Sequence, residues 1–188
     1  MDWTPRQAAL VAATALSAMA VLAPLAAFGI LADAPAGLVM TVVAILDVIV
    51  AVALLRLLAP PHRSIAMTAA GLRVAYAAVL GVAASRLTVG DRVDFDAIWN
   101  VGLLVFGVHL LLIGALLIGM RGVARVVGAL VVVAGLGYLI DAVTTVLAPG
   151  FDFRFATFTF VGELALIAWI FVRGGRASAS TLRPAVAG

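Results

Sequence analysis

The sequence contains no cysteine and no lysine, and only 11% of its 188 residues are charged. Without cysteine the chain forms no disulfide, uses no thiolate nucleophile and binds neither an iron–sulfur cluster nor a Cys-ligated metal. Without lysine it forms no Schiff base, which excludes a retinal pigment and a pyridoxal enzyme. These absences leave carboxylates, arginine and two histidines, His62 and His109, as the groups that can perform chemistry.

The chain is rich in apolar residues, which make up 65% of it, and its mean hydropathy is +1.26. This share is far above that of a soluble domain, so the sequence predicts an integral membrane protein. The formal net charge is +3, and the arginines that produce it lie mostly in loops and in the tail. Anionic lipid headgroups in the bilayer are therefore the expected partner, rather than a nucleic acid.

Apolar runs of membrane-spanning length predict an all-α, polytopic bundle of six transmembrane helices. They form a single domain over residues 1–172, and a disordered cytoplasmic tail is expected over residues 173–188. The longest loop is expected at Arg86–Ala97. No span carries the Gly/Pro break typical of many transporters. The six predicted spans are Gln7–Leu31, Gly37–Leu58, Ile65–Ala84, Ile98–Met120, Val123–Leu147 and Thr157–Val172.

The distribution of arginine predicts the orientation of the chain. With an even number of spans, both termini lie on the same side of the membrane, and eight arginines lie on that side. The opposite side carries only Arg86, Arg92 and Arg154, together with several aspartates. The positive-inside rule then places both termini in the cytoplasm. The composition indicates a bacterial chain, and hence the bacterial cytoplasmic membrane.

Five ionisable side chains interrupt the predicted spans, namely Asp47, Arg73, His109, Asp141 and Glu163. A charge at bilayer depth is costly and usually faces the interior of the bundle, so each of the five is a functional-site candidate. Three carboxylates face one arginine and one histidine. We therefore expect at least one of the three carboxylates to carry a proton or to bind a cation.

The depths of these side chains allow them to meet in one cavity in the central-to-outer half of the bundle, with Asp141 and Tyr138 nearer its mouth. Each residue also has a structural alternative. Asp47 and Arg73 could form a purely structural ion pair, and His109 could hydrogen-bond to a backbone carbonyl. Asp141 could face the outer interface, and Glu163 could cap a helix or pair within the bundle.

Three classes of function fit this pattern. The first is binding or transport of a small ligand or cation coupled to protonation, by a chain with few enough helices to suggest a homo-oligomer. The second is an intramembrane enzyme acting on a lipid or isoprenoid through carboxylate and histidine acid–base chemistry, or through a divalent metal held by His109, Glu163 and Asp47. The third is a structural or regulatory subunit of a membrane complex. The sequence does not decide whether the protein is an enzyme.

Short motifs around these residues resemble the bacterial membrane family called domain of unknown function 4386. The resemblance covers roughly residues 40–172. It implies a six-helix membrane protein and no assigned activity. The motifs are Leu46-Asp47, Leu72-Arg73, Gly107-Val108-His109, Gly135-Leu136-Gly137-Tyr138 and Gly162-Glu163-Leu164 with Trp169.

Overall fold

The computed structural model describes residues 3–60, 62–148, 150 and 153–173, and this part of the chain is helical apart from short connections. The expected disordered tail, beyond Arg173, lies outside the described residues. The helices are α1 (Pro5–Ala27), α2 (Asp33–Leu58), α3 (Arg63–Thr88), α4 (Arg92–Ile118), α5 (Val123–Leu147), α6 (Ala156–Thr159) and α7 (Val161–Arg173).

Five of these helices, α1 to α5, are long and apolar enough to cross a membrane, and Ala156–Val172 forms a shorter apolar stretch. Large apolar side chains such as Val42, Ile45 and Val133 are exposed on the outside of the bundle, where hydrocarbon would cover them. The predicted all-α membrane bundle of about six helices is therefore confirmed. The chain is an integral membrane protein.

The helices form a ring in which α1 to α5 each pack against the next helix in sequence, and α7 closes the ring by packing against both α5 and α1. Where α1 begins and α7 ends, Arg6 donates from Nη1 to the carbonyl of Phe171 at 2.8 Å. We call this side of the bundle the terminal end and the opposite side the loop end. Because the connections are short, neighbouring helices run antiparallel and all of them turn one face towards the same interior.

Helices α4 and α5 approach each other closely at two pairs of glycines. A Cβ atom built on Gly107 would lie 3.0 Å from the carbonyl oxygen of Gly135, and one built on Gly135 would lie 2.8 Å from that of Gly107. Gly114 and Gly128 meet in the same reciprocal way. Small residues let helix backbones pack closely in a membrane, where the hydrophobic effect does not drive helices together. This contact fixes the rotation of α4 and α5 about their axes.

The helices extend further at their polar ends than the hydropathy pattern predicted. The long loop expected at Arg86–Ala97 is wrong, because α3 continues to Thr88 and α4 begins at Arg92. The side chain of Asp91 caps α4 by accepting a hydrogen bond from the Asp94 amide at 3.1 Å. Hydropathy detects only the apolar part of a helix, whereas a cap and water at the membrane surface stabilise further polar turns.

The last span also differs from the prediction, because its helix is interrupted at Phe160 and divides into α6 and α7. The residues around the interruption are mostly aromatic or β-branched and have low helix propensity. At Gly162 the backbone of α7 approaches α5 so closely that an added Cβ would clash with the carbonyl of Leu130. A break in a span is therefore present, two residues before Gly162.

Candidate functional site

The centre of the ring holds an ion pair between α2 and α3. Asp47 is fully buried and Arg73 is nearly so, and Asp47 Oδ1 lies 2.6 Å from Arg73 Nη2. Asp47 Oδ2 and Arg73 Nε have no hydrogen-bond partner in the part of the chain that the structure describes. The expected Asp47–Arg73 contact is therefore present, although the hydrogen-bonding capacity of the pair is not fully used.

His109 of α4 joins this pair through both of its ring nitrogens. Nδ1 lies 2.8 Å from the carbonyl oxygen of Ala69, and Nε2 lies 3.2 Å from Arg73 Nη1. A carbonyl only accepts and a guanidinium only donates, so Nδ1 carries the proton and Nε2 accepts. The contacts therefore assign a neutral histidine whose lone pair is occupied by Arg73. They also match the structural alternative of a bond to a backbone carbonyl.

An aromatic ring, Phe106, lies at the centre of this cluster, one helical turn before His109. The guanidinium carbon of Arg73 is 5.4 Å from the centroid of the ring, within cation–π range. The ring centroids of Tyr76, Tyr138 and His109 lie 4.8, 5.3 and 5.8 Å from that of Phe106. Phe106 thus contacts both Arg73 and Tyr138.

Glu163 of α7 forms the second polar contact of the interior. Its Oε1 accepts a hydrogen bond from the hydroxyl of Tyr138 at 2.7 Å. Both side chains are half-buried, whereas Asp47, Arg73 and His109 are buried. No ion pair joins Glu163 to an arginine within the described ranges. Glu163 is therefore a mid-span carboxyl group whose neighbour in the structure is a neutral hydroxyl.

Asp141 has a different role from the one expected at the mouth of a shared cavity. Its Oδ1 accepts from the Phe155 amide at 2.7 Å, and its Oδ2 accepts from the Ala156 amide at 2.8 Å. Both carboxylate oxygens therefore bind the backbone where the last span begins. Backbone donors at a helix start stabilise a negative charge, and Asp141 anchors α6 to α5.

The structure thus distributes the three carboxylates of the interior among three kinds of partner. Asp47 faces a guanidinium, Asp141 faces two backbone amides and Glu163 faces a hydroxyl. Among the residues that the structure describes, no three His, Asp or Glu side chains lie close enough together to hold a metal ion. The metal site suggested at His109, Glu163 and Asp47 stays a prediction.

The sequence reasoning missed two contributors to this region. Phe106 precedes His109 by three positions, so helical periodicity alone places both on one face. Thr159 precedes Glu163 by four positions, and its hydroxyl is buried without a hydrogen-bond partner among the described residues. Neither residue is ionisable, so the pattern of charges within the spans does not indicate it.

Comparisons with known proteins show which sequences the chain resembles. A family model described as "Domain of unknown function (DUF4386)" matches residues 93–174, which include His109, Tyr138, Asp141 and Glu163. A protein of Archaeoglobus fulgidus with the name "Uncharacterized protein" is 34% identical over 134 residues, covering 71% of this chain and 80% of that protein. No solved structure matches the chain.

Proposed function

Because the chain belongs to the DUF4386 family of proteins, whose description assigns no activity, we propose its function from the geometry of its charged side chains. The protein binds a small ligand or cation inside the helix ring and couples this binding to loss or gain of a proton at Glu163. The proposal covers transport as well as binding, because a carboxyl group that alternately holds a proton and a substrate is a common basis of proton coupling.

The observation that supports this proposal is the position of Glu163. An ionised carboxylate in an apolar environment is strongly disfavoured unless a cation or several donors face it. Glu163 has the Tyr138 hydroxyl as its hydrogen-bond partner, at 2.7 Å. Its charge therefore depends on whether a proton or another cation is present.

Asp47, Arg73 and His109 have a supporting role in this proposal. The two charges of the ion pair neutralise each other, and the histidine is held neutral between Arg73 and the carbonyl of Ala69. Together they tie α2, α3 and α4 around the interior and place a fixed polar surface beside Phe106. The same contacts leave no free lone pair on His109, so they do not favour the alternative of an intramembrane enzyme with a histidine base.

Localisation and orientation are part of the proposal. We place the chain in the bacterial cytoplasmic membrane with the terminal end in the cytoplasm. At the loop end, Arg92 pairs with Asp33 at 2.6 Å and Arg86 with Asp94 at 3.4 Å, so aspartates partly neutralise the arginines there. The excess of arginine is at the terminal end, as the positive-inside rule requires for a cytoplasmic face.

The experiment that tests this proposal follows the protonation of Glu163 directly. We would record infrared difference spectra of the full chain in lipid nanodiscs as the pH is raised, and follow the carbonyl stretch of a protonated carboxylic acid. The wild-type protein is expected to lose one such band. The band is expected to be absent from Glu163→Gln, because the amide cannot ionise.

The matched control is Asp96→Asn, which removes an exposed carboxyl group from the first turns of α4 at the loop end. This variant is expected to keep the wild-type band. A band that persists unchanged in Glu163→Gln would assign the proton to another carboxyl group and would overturn the proposal. A wild-type protein without any such band between acidic and alkaline pH would overturn it as well.

A further inference from the structure

The interruption of the last span lies directly beside Glu163. The Phe160 amide donates to the carbonyl of Ala156 at 2.9 Å, and the helical ladder resumes when the Leu164 amide donates to the carbonyl of Phe160 at 3.3 Å. Between these points the amide of Glu163 bonds three residues back, to Phe160, at 2.9 Å. The carbonyl groups at the end of α6 therefore lie at a break in the ladder. Unwound carbonyls within a membrane span are a recurrent source of ligands for Na⁺ or H⁺.

A buried hydroxyl lies at the same break. Thr159 Oγ1 is inaccessible to solvent and has no hydrogen-bond partner among the residues that the structure describes. The side chain packs against Gly137, where an added Cβ would clash with Oγ1. Thr159 and Glu163 are four residues apart and contact consecutive positions of α5, Gly137 and Tyr138. A buried polar atom without a partner requires an explanation, and a bound ion is one.

We propose that the break in the last span binds a monovalent cation of sodium-like chemistry, held by the Glu163 carboxylate, the Thr159 hydroxyl and carbonyl oxygens at the end of α6. This inference rests on the proposed function and names its ligand class. Binding is an exchange: the carboxylic acid of Glu163 releases its proton to water, and the cation takes the place of that proton at the carboxylate. Charge is conserved within the site.

The charge of the site favours a monovalent ion over a divalent one. Glu163 supplies one negative charge, and the other oxygens are neutral. Divalent Ca²⁺ usually takes several carboxylates, and Mg²⁺ keeps much of its hydration shell. Among the described residues, no three His, Asp or Glu side chains lie close enough together to hold a metal ion. A single carboxylate with hydroxyl and carbonyl oxygens therefore matches a hard cation of charge one.

The test measures protons released when sodium chloride is added to the full chain in lightly buffered nanodiscs, with choline chloride at equal ionic strength as the reference. Sodium is expected to release about one proton per wild-type chain, because binding requires the deprotonated ligand. Thr159→Val keeps the shape of the side chain and removes the hydroxyl. It is expected to weaken the apparent sodium affinity by about tenfold or more. Thr157→Val, an exposed position on the same short helix, is the matched control and is expected to behave as wild type.

The outcomes separate this inference from the proposed function. Equal sodium affinity in Thr159→Val and wild type would overturn the site at the break. A Glu163 infrared band that responds to pH in a protein that releases no proton on sodium addition would overturn the cation inference and leave the proposed function standing. A wild-type protein that shows neither a pH-dependent infrared band nor proton release on sodium addition would overturn both the cation inference and the proposed function. Equal sodium-dependent release by wild type and Glu163→Gln would also overturn the inference.

Discussion

Replacing Arg73 with methionine removes the positive charge that faces Asp47 and keeps most of the volume of the side chain. Asp47 is 0% exposed, and the ion-pair contact is 2.6 Å long. Breaking a buried pair by removing one partner costs about 3–5 kcal/mol, because the remaining charge is left without compensation. The lost hydrogen bond to His109 adds about 1 kcal/mol. We therefore expect Arg73→Met to lower the free energy of unfolding by roughly 4–6 kcal/mol.

Asp47→Asn is the complementary change, since it leaves the guanidinium buried and keeps the shape of the carboxyl group. We expect a loss of similar order, about 3–5 kcal/mol. The double variant Asp47→Asn with Arg73→Met removes both charges together. It is expected to lie within about 2 kcal/mol of the wild type, since removing a whole buried pair is often nearly neutral. The coupling free energy between the two positions is then several kcal/mol.

The assay is reversible unfolding of the full chain in mixed micelles, followed by circular dichroism as denaturing detergent is added. If Arg73→Met does not fold, the comparison of Asp47→Asn with the double variant still tests the pairing. The double variant is then expected to be more stable than Asp47→Asn alone. Single losses that add in the double variant to within about 0.5 kcal/mol would show that the two charges act independently. That result would refute the pairing on which our account of the interior depends.

Three further predictions concern packing, anchoring and orientation. Gly135→Ala places a Cβ 2.8 Å from a backbone carbonyl of α4 and is expected to destabilise the bundle by about 1–3 kcal/mol in the same assay. The control is Gly71→Ala, where the added Cβ meets nothing within 4 Å, and it is expected to be neutral or stabilising. Equal losses of stability in the two variants would contradict the close α4–α5 contact. Asp141→Asn keeps one of the two acceptor oxygens and is expected to lower the free energy of unfolding by about 1–2 kcal/mol. It is also expected to speed amide hydrogen exchange where the last span begins. Unchanged hydrogen exchange at that position would exclude the anchoring role. Because the chain has no cysteine, the single-cysteine variants Ser64→Cys and Ser85→Cys report separately on the two ends of α3. An impermeant maleimide added to intact cells is expected to label the Ser85 variant and to leave the Ser64 variant unlabelled. The reverse labelling pattern would invert the proposed orientation.

The polar interior could be predicted residue by residue but not contact by contact. Asp47, Arg73, His109 and Glu163 stand out in apolar surroundings, and an ionisable side chain in a span has few stable positions except the bundle interior. The pairing of Asp47 with Arg73 follows from their opposite charges. The sequence did not indicate which carboxylate would be left facing a hydroxyl, because Asp47, Asp141 and Glu163 all lie within spans.

The sequence by itself determined that the chain is a helical membrane protein of about six helices, and it determined the identity of the buried polar side chains. These properties depend on the transfer free energies of individual residues and short windows, which are local. The tertiary structure alone decided that Asp141 anchors the last span and that the helix breaks at Phe160 beside Glu163. It also decided that His109 is neutral, with both ring nitrogens in hydrogen bonds. These outcomes depend on how each helix is rotated in the ring. That rotation is set by close contacts between residues far apart in sequence, such as those between Gly107 and Gly135 and between Gly162 and Leu130.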